Sequence, residues 1–514
     1  MKKWMKLQLV IILALSLIAA GCSGKPTVEN TAEEKPKEKA LTIGLTKDVS
    51  SFDPHASLNT LTGSVLVNTF DYLVVKDRDG KFKPNLAESW ENIDDTTWRF
   101  KLRQGVKFHN GDPFTAKDVK FSLERISREK KFTNYRNYKQ IKEVKIIDEH
   151  TVDIITDGPD PILLNRISRI GAGMLPSKYF QEKGEEEFAK NPVGTGPYKY
   201  QEWLRDDRIV LAKNPDYWAG APKWDKVVFR VIPEESTRTA ELMTGGIDIA
   251  LDVPPSDVKR IEEKEGTHAV QALIKRVLYW VVPTDKGPTK DPNVREAIDL
   301  AIDEKAIAES IYQGGAIPTR TITPPDSFAS ESSLYNQSLY DPARAKELLK
   351  QAGYENGLEL TVSSANARYL KDKEVAEIVA AMIGEVGIKV NLEILENSKF
   401  DEKKDADTFD GLYMNGISSS LNDPASDYGA LTSANSKGSS GYSNPEFDKI
   451  YSQAATDMNP TSREEGFKKL QQMVAQDRPY IPLFQLKSNY GISDKIIFEP
   501  RVDEMLYVEE IKMK

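Results

Sequence analysis

The alternation of apolar and polar residues along the chain predicts a mixed α/β protein. Residues 41–45 alternate with the period of two that a strand with one buried face requires. The segment Thr97–Leu102 does the same and places Trp98 and Phe100 on one face. Both segments are short, as strands of globular proteins are.

Helical patterns with end signals lie between such strands. A helix is predicted after Thr115, whose hydroxyl can cap it together with Asp118 three residues later. Val119, Leu123 and Ile126 then form its buried stripe. The sequence therefore specifies both the start of this helix and its inward face.

The C-terminal half contains the same kind of signals in a helix, helix, strand order. Asp341-Pro342 starts one helix and Gly353 ends it. A second helix ends at Gly387, and residues 388–394 then alternate as a strand. Helices followed by alternating strands at this spacing predict stacked α/β layers.

The N-terminus has the pattern of an export signal. Lys2, Lys3 and Lys6 precede an uncharged apolar run over residues 7–20, which is shorter than the roughly 20 residues of a membrane-spanning helix. Small residues lead directly to Cys22, the one cysteine of the chain, although Ala19 stands where a lipobox usually has Leu. We expect a signal peptide over 1–21, a lipid on Cys22 and a disordered tether over 22–40. The protein is then expected to be anchored to the cell membrane on its extracytoplasmic side.

Composition excludes several classes of function. The formal net charge of −9 argues against a nucleic-acid partner, because binding to phosphates needs clustered Lys and Arg. A single cysteine excludes an intrachain disulfide and every multi-cysteine metal site. The sequence also lacks the zinc-protease helix motif, the hydrolase nucleophile elbow and the phosphate-binding P-loop. We therefore predict no metal site, no cofactor and no catalysis, and we assign structural roles to the four histidines: His55, His109, His150 and His268.

Blocks spread along most of the chain resemble one known family. They include Pro84-Asn85-Leu86-Ala87-Glu88-Ser89-Trp90, Pro192-Val193-Gly194-Thr195-Gly196-Pro197-Tyr198, Asn214-Pro215-Asp216-Tyr217-Trp218, Thr237-Arg238 and Tyr340-Asp341-Pro342-Ala343-Arg344-Ala345-Lys346. Together they resemble the peptide/nickel-type (family 5) solute-binding proteins of ABC importers. We interpret the blocks themselves as scaffold, with Arg238 expected to form an internal ion pair.

The resemblance implies an α/β, two-lobed periplasmic-binding-protein-like fold with a ligand cleft between the lobes. By analogy, the first lobe is discontinuous and comprises residues 41–68, 191–271 and 483–514. An inserted domain is expected over 69–190, and the second lobe over 272–482. Ligand binding to such a fold favours the closed state.

The resemblance also implies a function. The protein is expected to capture a peptide or a polar solute of similar size, as a monomer, and to deliver it to the permease and ATPase subunits of an ABC importer. A receptor for nickel or another metal chelate in the same fold is the main alternative. An exported hydrolase that retains the binding fold is a third possibility.

The family positions its ligand against two stretches. The first precedes an early Asp-Pro and here contains Asp48, Ser50 and Phe52. The second is a loop of the second lobe, and its expected ligand-binding residues are Tyr413, Asn415, Ser418, Ser420, Asn422 and Asp423.

This loop departs from both well-known patterns. Peptide binders usually pair the ligand's amino group with an Asp where this chain has Ser420, and the nickel-chelate pattern has Trp and Tyr at the places of Ser418 and Asn422. The replacement carboxylate is left open among Asp48, Asp423 and Asp427. Arg368 is expected to bind a carboxylate of the ligand, since a guanidinium can do so bidentately.

The lipid anchor generates a first prediction. Cys22→Ala should appear in the medium or remain unprocessed, because the sequence contains no other uncharged apolar run comparable to residues 7–20. Fractionation and immunoblotting of cells that express wild type and variant will measure this. A variant that stays in the membrane fraction as firmly as wild type would contradict the lipoprotein interpretation.

Overall fold

The computed structural model describes residues 38–57, 59–325, 327–366, 368–419 and 421–514. The expected signal peptide, Cys22 and most of the expected tether lie outside this part of the chain. Within it, no helix is both long enough and apolar enough to cross a membrane.

The strands are, in chain order, β1 (Ala40–Leu45), β2 (Val74–Lys76), β3 (Phe82–Pro84), β4 (Ala87–Asp94), β5 (Thr97–Leu102), β6 (Ile141–Asp148), β7 (Thr151–Thr156), β8 (Tyr198–Leu204), β9 (Arg208–Lys213), β10 (Lys226–Val231), β11 (Ile249–Ala250), β12 (Thr267–Val281), β13 (Ala316–Pro318), β14 (Leu358–Ala365), β15 (Ile388–Leu395), β16 (Leu412–Ile417), β17 (Tyr480–Ser493), β18 (Ile496–Ile497) and β19 (Lys512–Met513).

The α-helices are α1 (Thr60–Leu66), α2 (Ala116–Arg128), α3 (Tyr135–Tyr138), α4 (Leu163–Ile167), α5 (Ser177–Lys190), α6 (Glu235–Thr244), α7 (Pro255–Glu262), α8 (Pro292–Ala301), α9 (Glu304–Ser310), α10 (Pro342–Gln351), α11 (Asp372–Glu385), α12 (Asn397–Asp405), α13 (Pro424–Tyr428), α14 (Pro445–Thr456) and α15 (Pro460–Asp477). Short 3₁₀ turns cover Ile170–Ala172, Pro288–Lys290, Ser332–Leu334, Gly429–Leu431 and Val508–Glu510.

One large sheet runs through both lobes. Its strand order in the described residues is β15-β14-β16-β12-β17-β11-β1-β10-β9-β8, with β13 also paired to β17. The long strands β12 and β17 lie at its centre and pair antiparallel from Thr267 to Val281, with an irregular register between Leu273 and Val277. These two strands therefore carry the sheet from one lobe into the other.

Separate hydrophobic cores lie on the two sides of this junction. In the first lobe, Ile43, Leu211 and Phe229 are fully buried together with Phe188 from α5. In the second lobe, α8, α10 and α11 pack on the sheet around the fully buried Trp280. The residue bounds of the lobes stay a prediction, since α5 belongs to the range expected for the inserted domain and yet packs on the core of the first lobe.

The segment expected to form the inserted domain, which keeps that name below, has a sheet of its own with the strand order β4-β5-β7-β6. Helix α2 covers one face of it, and Val119, Leu123 and Ile126 are fully buried there. The predicted cap is confirmed, because the Thr115 side chain accepts from the backbone of the first turn while Asp118 accepts from Thr115 N at 2.8 Å.

The predicted elements of the C-terminal half are confirmed as well. Helices α10 and α11 are each followed by a glycine in the left-handed region, Gly353 with φ 84° and Gly387 with φ 102°. Strand β15 starts directly after Gly387 and lies parallel to β14. Glycine is suited to both positions because it lacks the Cβ that disfavours positive φ.

The ion pair expected for Arg238 is wrong. This buried guanidinium donates to four backbone carbonyls, those of Ile232, Pro233, Leu251 and Asp252, at 2.7–3.2 Å. All four belong to segments that leave β10 and β11. Arg238 therefore satisfies carbonyl groups at the strand ends instead of a carboxylate.

A buried cluster joins the inserted domain to the first lobe. Arg125 on α2 donates to both carboxylate oxygens of Asp53, at 2.7 and 3.2 Å, and its Nη1 donates to Nδ1 of His55 at 2.7 Å. Burial lowers the pKa of His55 to about 3, and the neighbouring guanidinium acts in the same direction while Asp53 opposes it. His55 is therefore neutral in the folded protein.

This neutral histidine generates a prediction about acid stability. Below about pH 6.5 the unfolded chain binds a proton that folded His55 does not, so the free energy of unfolding falls as the pH drops towards about 3. Between about pH 7 and pH 5, the free energy of unfolding should fall by about 2 kcal/mol less in His55→Gln than in wild type. Urea unfolding at the two pH values measures it, with His150→Gln as the control. An unchanged pH dependence in His55→Gln would contradict the assignment.

Candidate ligand-binding cleft

Parallel strands of the two lobes end at a common cleft. In the first lobe β1 lies parallel to β10 and β11, and in the second lobe β14 lies parallel to β15 and β16. The residues that follow these six strands line one cavity, among them Lys47, Pro233, Asp252, Asn366, Asn397 and Ser418. Ligands of open α/β sheets bind outside the carboxyl ends of the strands, which makes this cleft the candidate site.

The cleft has two chambers. Chamber one, of about 850 Å³, lies between the inserted domain, the C-terminal segment and the second lobe, and its walls include Tyr72, Lys76, Trp98, Arg169, Asn422 and Tyr507. Chamber two, of about 750 Å³, lies between the first and second lobes, and its walls include Lys47, Asp252, Arg276, Arg368, Tyr369 and Asp401. Asn59, Thr60, Ser418 and Glu504 line both chambers.

The junction strand β12 supplies a cation to each chamber. Lys275 lines chamber one and Arg276 lines chamber two, as consecutive residues of a strand point to opposite sides. Arg276 donates to Glu504 at 3.1 and 3.3 Å. Sequence reasoning missed this pair, although two adjacent cations within the largely apolar strand Thr267–Val281 were a visible signal.

Arg368, the expected carboxylate anchor, lies in the wall of chamber two. Its Nη1 forms an ion pair with Asp401, and its Nε donates to the Tyr369 hydroxyl at 3.2 Å. That hydroxyl in turn donates to Asn415 Oδ1 at 3.2 Å. The anchor role stays a prediction, and a ligand carboxylate would have to share this guanidinium with Asp401.

The early stretch lies beside the cleft and not in its wall. Asp48 accepts from the Trp203 indole at 3.0 Å, and Phe52 is fully buried against Trp203 and Tyr200. The Ser50 backbone N–H donates to the Thr62 hydroxyl at 3.2 Å. The structure thus brings Lys47, and not Asp48, Ser50 or Phe52, to the cavity surface.

Four of the six loop candidates can be placed in two groups. Ser418 and Asn422 line the chambers, whereas Tyr413 and Asn415 do not. Tyr413 is buried, and its hydroxyl forms a 2.7 Å hydrogen bond with Ser439. Asn415 donates to the Tyr279 hydroxyl at 3.0 Å. The side chains of Tyr413 and Asn415 therefore bind neighbouring parts of the protein and support the loop. Ser420, the remaining loop candidate besides Asp423, lies outside the described residues.

Asp423 reaches chamber one, but its carboxylate is already paired. Arg463 donates to both of its oxygens, and both side chains are 5% exposed. Of the other two candidates for an amine-binding carboxylate, Asp48 accepts from Trp203, and Asp427 is buried with a pKa that burial raises to about 6. None of the three presents an unpartnered, exposed carboxylate to the cleft.

The described residues contain no group of three or more His, Cys, Asp and Glu side chains placed to hold a metal ion. Among the histidines, a ring nitrogen of His109 lies 2.9 Å from the Gly196 carbonyl, and burial lowers the pKa of His109 to about 4. A ring nitrogen of His268 contacts Asp494 at 2.7 Å.

Comparison with known proteins identifies the family. The model of bacterial extracellular solute-binding proteins, family 5 (middle region), matches residues 81–439, well over half of the chain. The chain belongs to this family. The resemblance inferred from the sequence blocks is thereby confirmed, and the family is defined by binding a solute outside the cell.

Individual members of this family extend the comparison. The glutathione-binding protein GsiB of Escherichia coli K12 is 28% identical over 460 residues, which cover 87% of this chain and 88% of GsiB. The structure of the ABC transporter-associated periplasmic binding protein DppA from Helicobacter pylori, in complex with the peptide STSA, matches with a TM-score of 0.80 and 27% identity over 92% of this chain and 98% of DppA. NikZ from Campylobacter jejuni in complex with Ni(L-His) matches with a TM-score of 0.79 and 23% identity over 93% of this chain and all of NikZ. The predicted two-lobed fold is confirmed.

The buried pair of Asp423 and Arg463 generates a stability prediction. Arg463→Met should lower the free energy of unfolding by about 3 to 5 kcal/mol, because it leaves Asp423 buried without its counter-charge. Urea unfolding at neutral pH measures the loss, and Arg344→Met, which breaks the exposed pair with Glu347, is the control. Asp423→Asn combined with Arg463→Met should recover part of the stability. A loss below about 1 kcal/mol in Arg463→Met would contradict the structural role of the pair.

Proposed function

We propose that this solute-binding protein captures a short peptide, or a polar solute of similar size, in the two-chambered cleft and delivers it to the permease of an ABC importer. The observation that carries the proposal is the position of the cleft, which both lobes line beside the junction strands β12 and β17. A solute in contact with both lobes stabilises their closed arrangement, and this change of shape can signal occupancy to a permease.

The dimensions and polarity of the cleft support a solute of this kind. Each chamber lies within the range of about 300 to 1,000 Å³ that small-molecule sites occupy. Hydrogen-bonding side chains such as Asn366, Asn397, Ser418 and Asn422 line the walls. The ligands of the relatives above, glutathione for GsiB and the peptide STSA for DppA, are of this class.

We further propose that the protein acts as a monomer tethered by a lipid on Cys22. The charged, proline-containing segment after Cys22 is long enough to separate the folded body from the membrane surface. An anchored receptor stays close to the permease and ATPase subunits with which it would work.

The alternative function is that of a metal-chelate receptor, since NikZ in complex with Ni(L-His) has a similar fold. At 23% identity that comparison supports a shared fold and does not extend to the ligand. In this alternative, the chelator would supply the metal's ligands, and the cleft would bind the chelator.

The proposed function predicts binding without turnover. Native mass spectrometry of the purified protein, followed by thermal unfolding with a library of peptides of two to nine residues, should reveal bound peptides and a raised melting temperature. A peptide at about 100 times its Kd stabilises the folded state by about 2.7 kcal/mol.

The matched variants are Ser418→Trp, which should fill the passage between the chambers, and Ser452→Trp on the exposed face of α14 as the control. The first should abolish the shift, and the second should leave it unchanged. Cleavage of any peptide, or a complete absence of peptide binding beside tight binding of a metal chelate, would contradict the proposal.

A further inference from the structure

Chamber one has two cations in its wall that lack a carboxylate partner. Arg169 follows α4 and is half-buried, and in the described part of the chain no carboxylate lies within ion-pair distance of it. The same is true of Lys76, which ends β2 and whose Nζ lies 4.9 Å from the centre of the Phe82 ring. Lys275, which donates to Asn422 Oδ1, adds a third positive charge to this wall.

The carboxylates near these cations are engaged elsewhere. Asp423 is held by Arg463, Asp503 accepts from Arg501 at 3.0 and 3.1 Å, and Glu504 accepts from Arg276. Asp77 accepts from the backbone of its own turn and pairs with Lys83 at 3.3 Å. Asp79, in the same turn, is exposed to solvent. Arg169 and Lys76 therefore carry positive charge that no carboxylate of the described residues pairs with.

Neutral hydrogen-bond donors in the same wall also lack acceptors. Tyr72 is 2% exposed, and its buried hydroxyl has no partner among the described residues. The indole N–H of Trp98 is likewise buried without an acceptor in the described chain. Burial raises the pKa of Tyr72, so its hydroxyl keeps its proton. A group placed here would meet several donors and few available acceptors.

Resting on the proposed function of the cleft, we infer that the captured solute is an anion whose carboxylate is bound in chamber one by Arg169 and Lys76. A carboxylate accepts up to four hydrogen bonds and supplies the negative charge that this wall lacks. A half-buried guanidinium without a counter-charge loses part of its hydration, and a ligand carboxylate offsets that cost on binding. The inference moves the anchor from Arg368, which is paired with Asp401, to the wall formed by the inserted domain.

The experiment compares each tripeptide of a library in three forms: the free acid with a Glu side chain, the Gln analogue, and the C-terminal amide. Competition measured by native mass spectrometry gives relative affinities for wild type, Arg169→Gln, Lys76→Met and Arg78→Gln. Arg78 lines the same chamber, but its guanidinium is paired with Glu510 at 2.7 Å, which makes it the matched control.

In wild type, at least one of the two amidations should weaken binding by about 30-fold or more, the loss expected when one partner of a buried charged pair is removed. The discrimination should vanish in Arg169→Gln, shrink in Lys76→Met and persist in Arg78→Gln. Arg169→Lys should restore part of it. The amidation that weakens binding shows whether the bound carboxylate is a side-chain or a terminal group.

The outcomes separate this inference from the proposed function. If peptides bind but neither amidation matters, or if the discrimination survives in both Arg169→Gln and Lys76→Met, the inference is wrong and the proposed function stands. If no peptide binds in any form, the peptide part of the proposed function fails, and thermal shifts with citrate and inorganic phosphate decide the anion site. A shift that is lost in Arg169→Gln supports the site, and the absence of any shift overturns it.

Proton uptake provides a readout that a purely structural role would not change. Burial lowers the pKa of Lys76 to about 8, with Lys275 and Arg169 acting in the same direction and Asp423 and Asp503 opposing them. A bound carboxylate raises this pKa, so binding of the tightest tripeptide at about pH 8.5 should take up between about half and three quarters of a proton. Calorimetry in two buffers of different ionisation enthalpy measures it. Uptake that persists unchanged in Lys76→Met would contradict the role of Lys76.

Discussion

The antiparallel pairing of β12 with β17 is the constraint on which the rest of the structure depends. These two strands lie between the parallel sets of strands in the two lobes, and their register fixes which residues reach the floor of the cleft. The pairing is irregular between Leu273 and Val277, and in this stretch the side chains of Lys275 and Arg276 line different chambers. The same short segment, in the strand pair that joins the sheet of the two lobes, thus supplies one cation to each chamber.

Charge pairing divides the cleft residues into supports and binding groups. Asp423 with Arg463, Glu504 with Arg276 and Arg368 with Asp401 each satisfy one another within the protein. Such pairs hold loops in place, and they contribute little further charge to a ligand. Arg169 and Lys76 have no such partner in the described chain, and this difference is what makes chamber one suited to an anion.

Two of the family blocks, residues 192–198 and 214–218, are held together by buried contacts. The buried carboxylate of Asp71 accepts from Thr195, Tyr217 and Trp218 at 2.9–3.0 Å, so one side chain joins two blocks that lie about 20 residues apart. At Gly194 an added Cβ would lie 2.0 Å from the Thr69 carbonyl oxygen, which explains the glycine of the first block. These contacts determine the fold and do not touch the chambers.

The sequence by itself determined the local elements, the family and hence the two-lobed fold. Caps such as Thr115 with Asp118 and terminators such as Gly387 act within a few residues, so their effect is readable along the chain. Only the tertiary structure decided which candidate residues reach the cleft. Asp48 and Asp423 were plausible ligand-binding carboxylates until Trp203 and Arg463 proved to hold them, across separations of 155 and 40 residues. Arg169 shows the converse. Its local sequence resembles an ordinary surface turn, and its importance comes from the carboxylates that the fold keeps away from it.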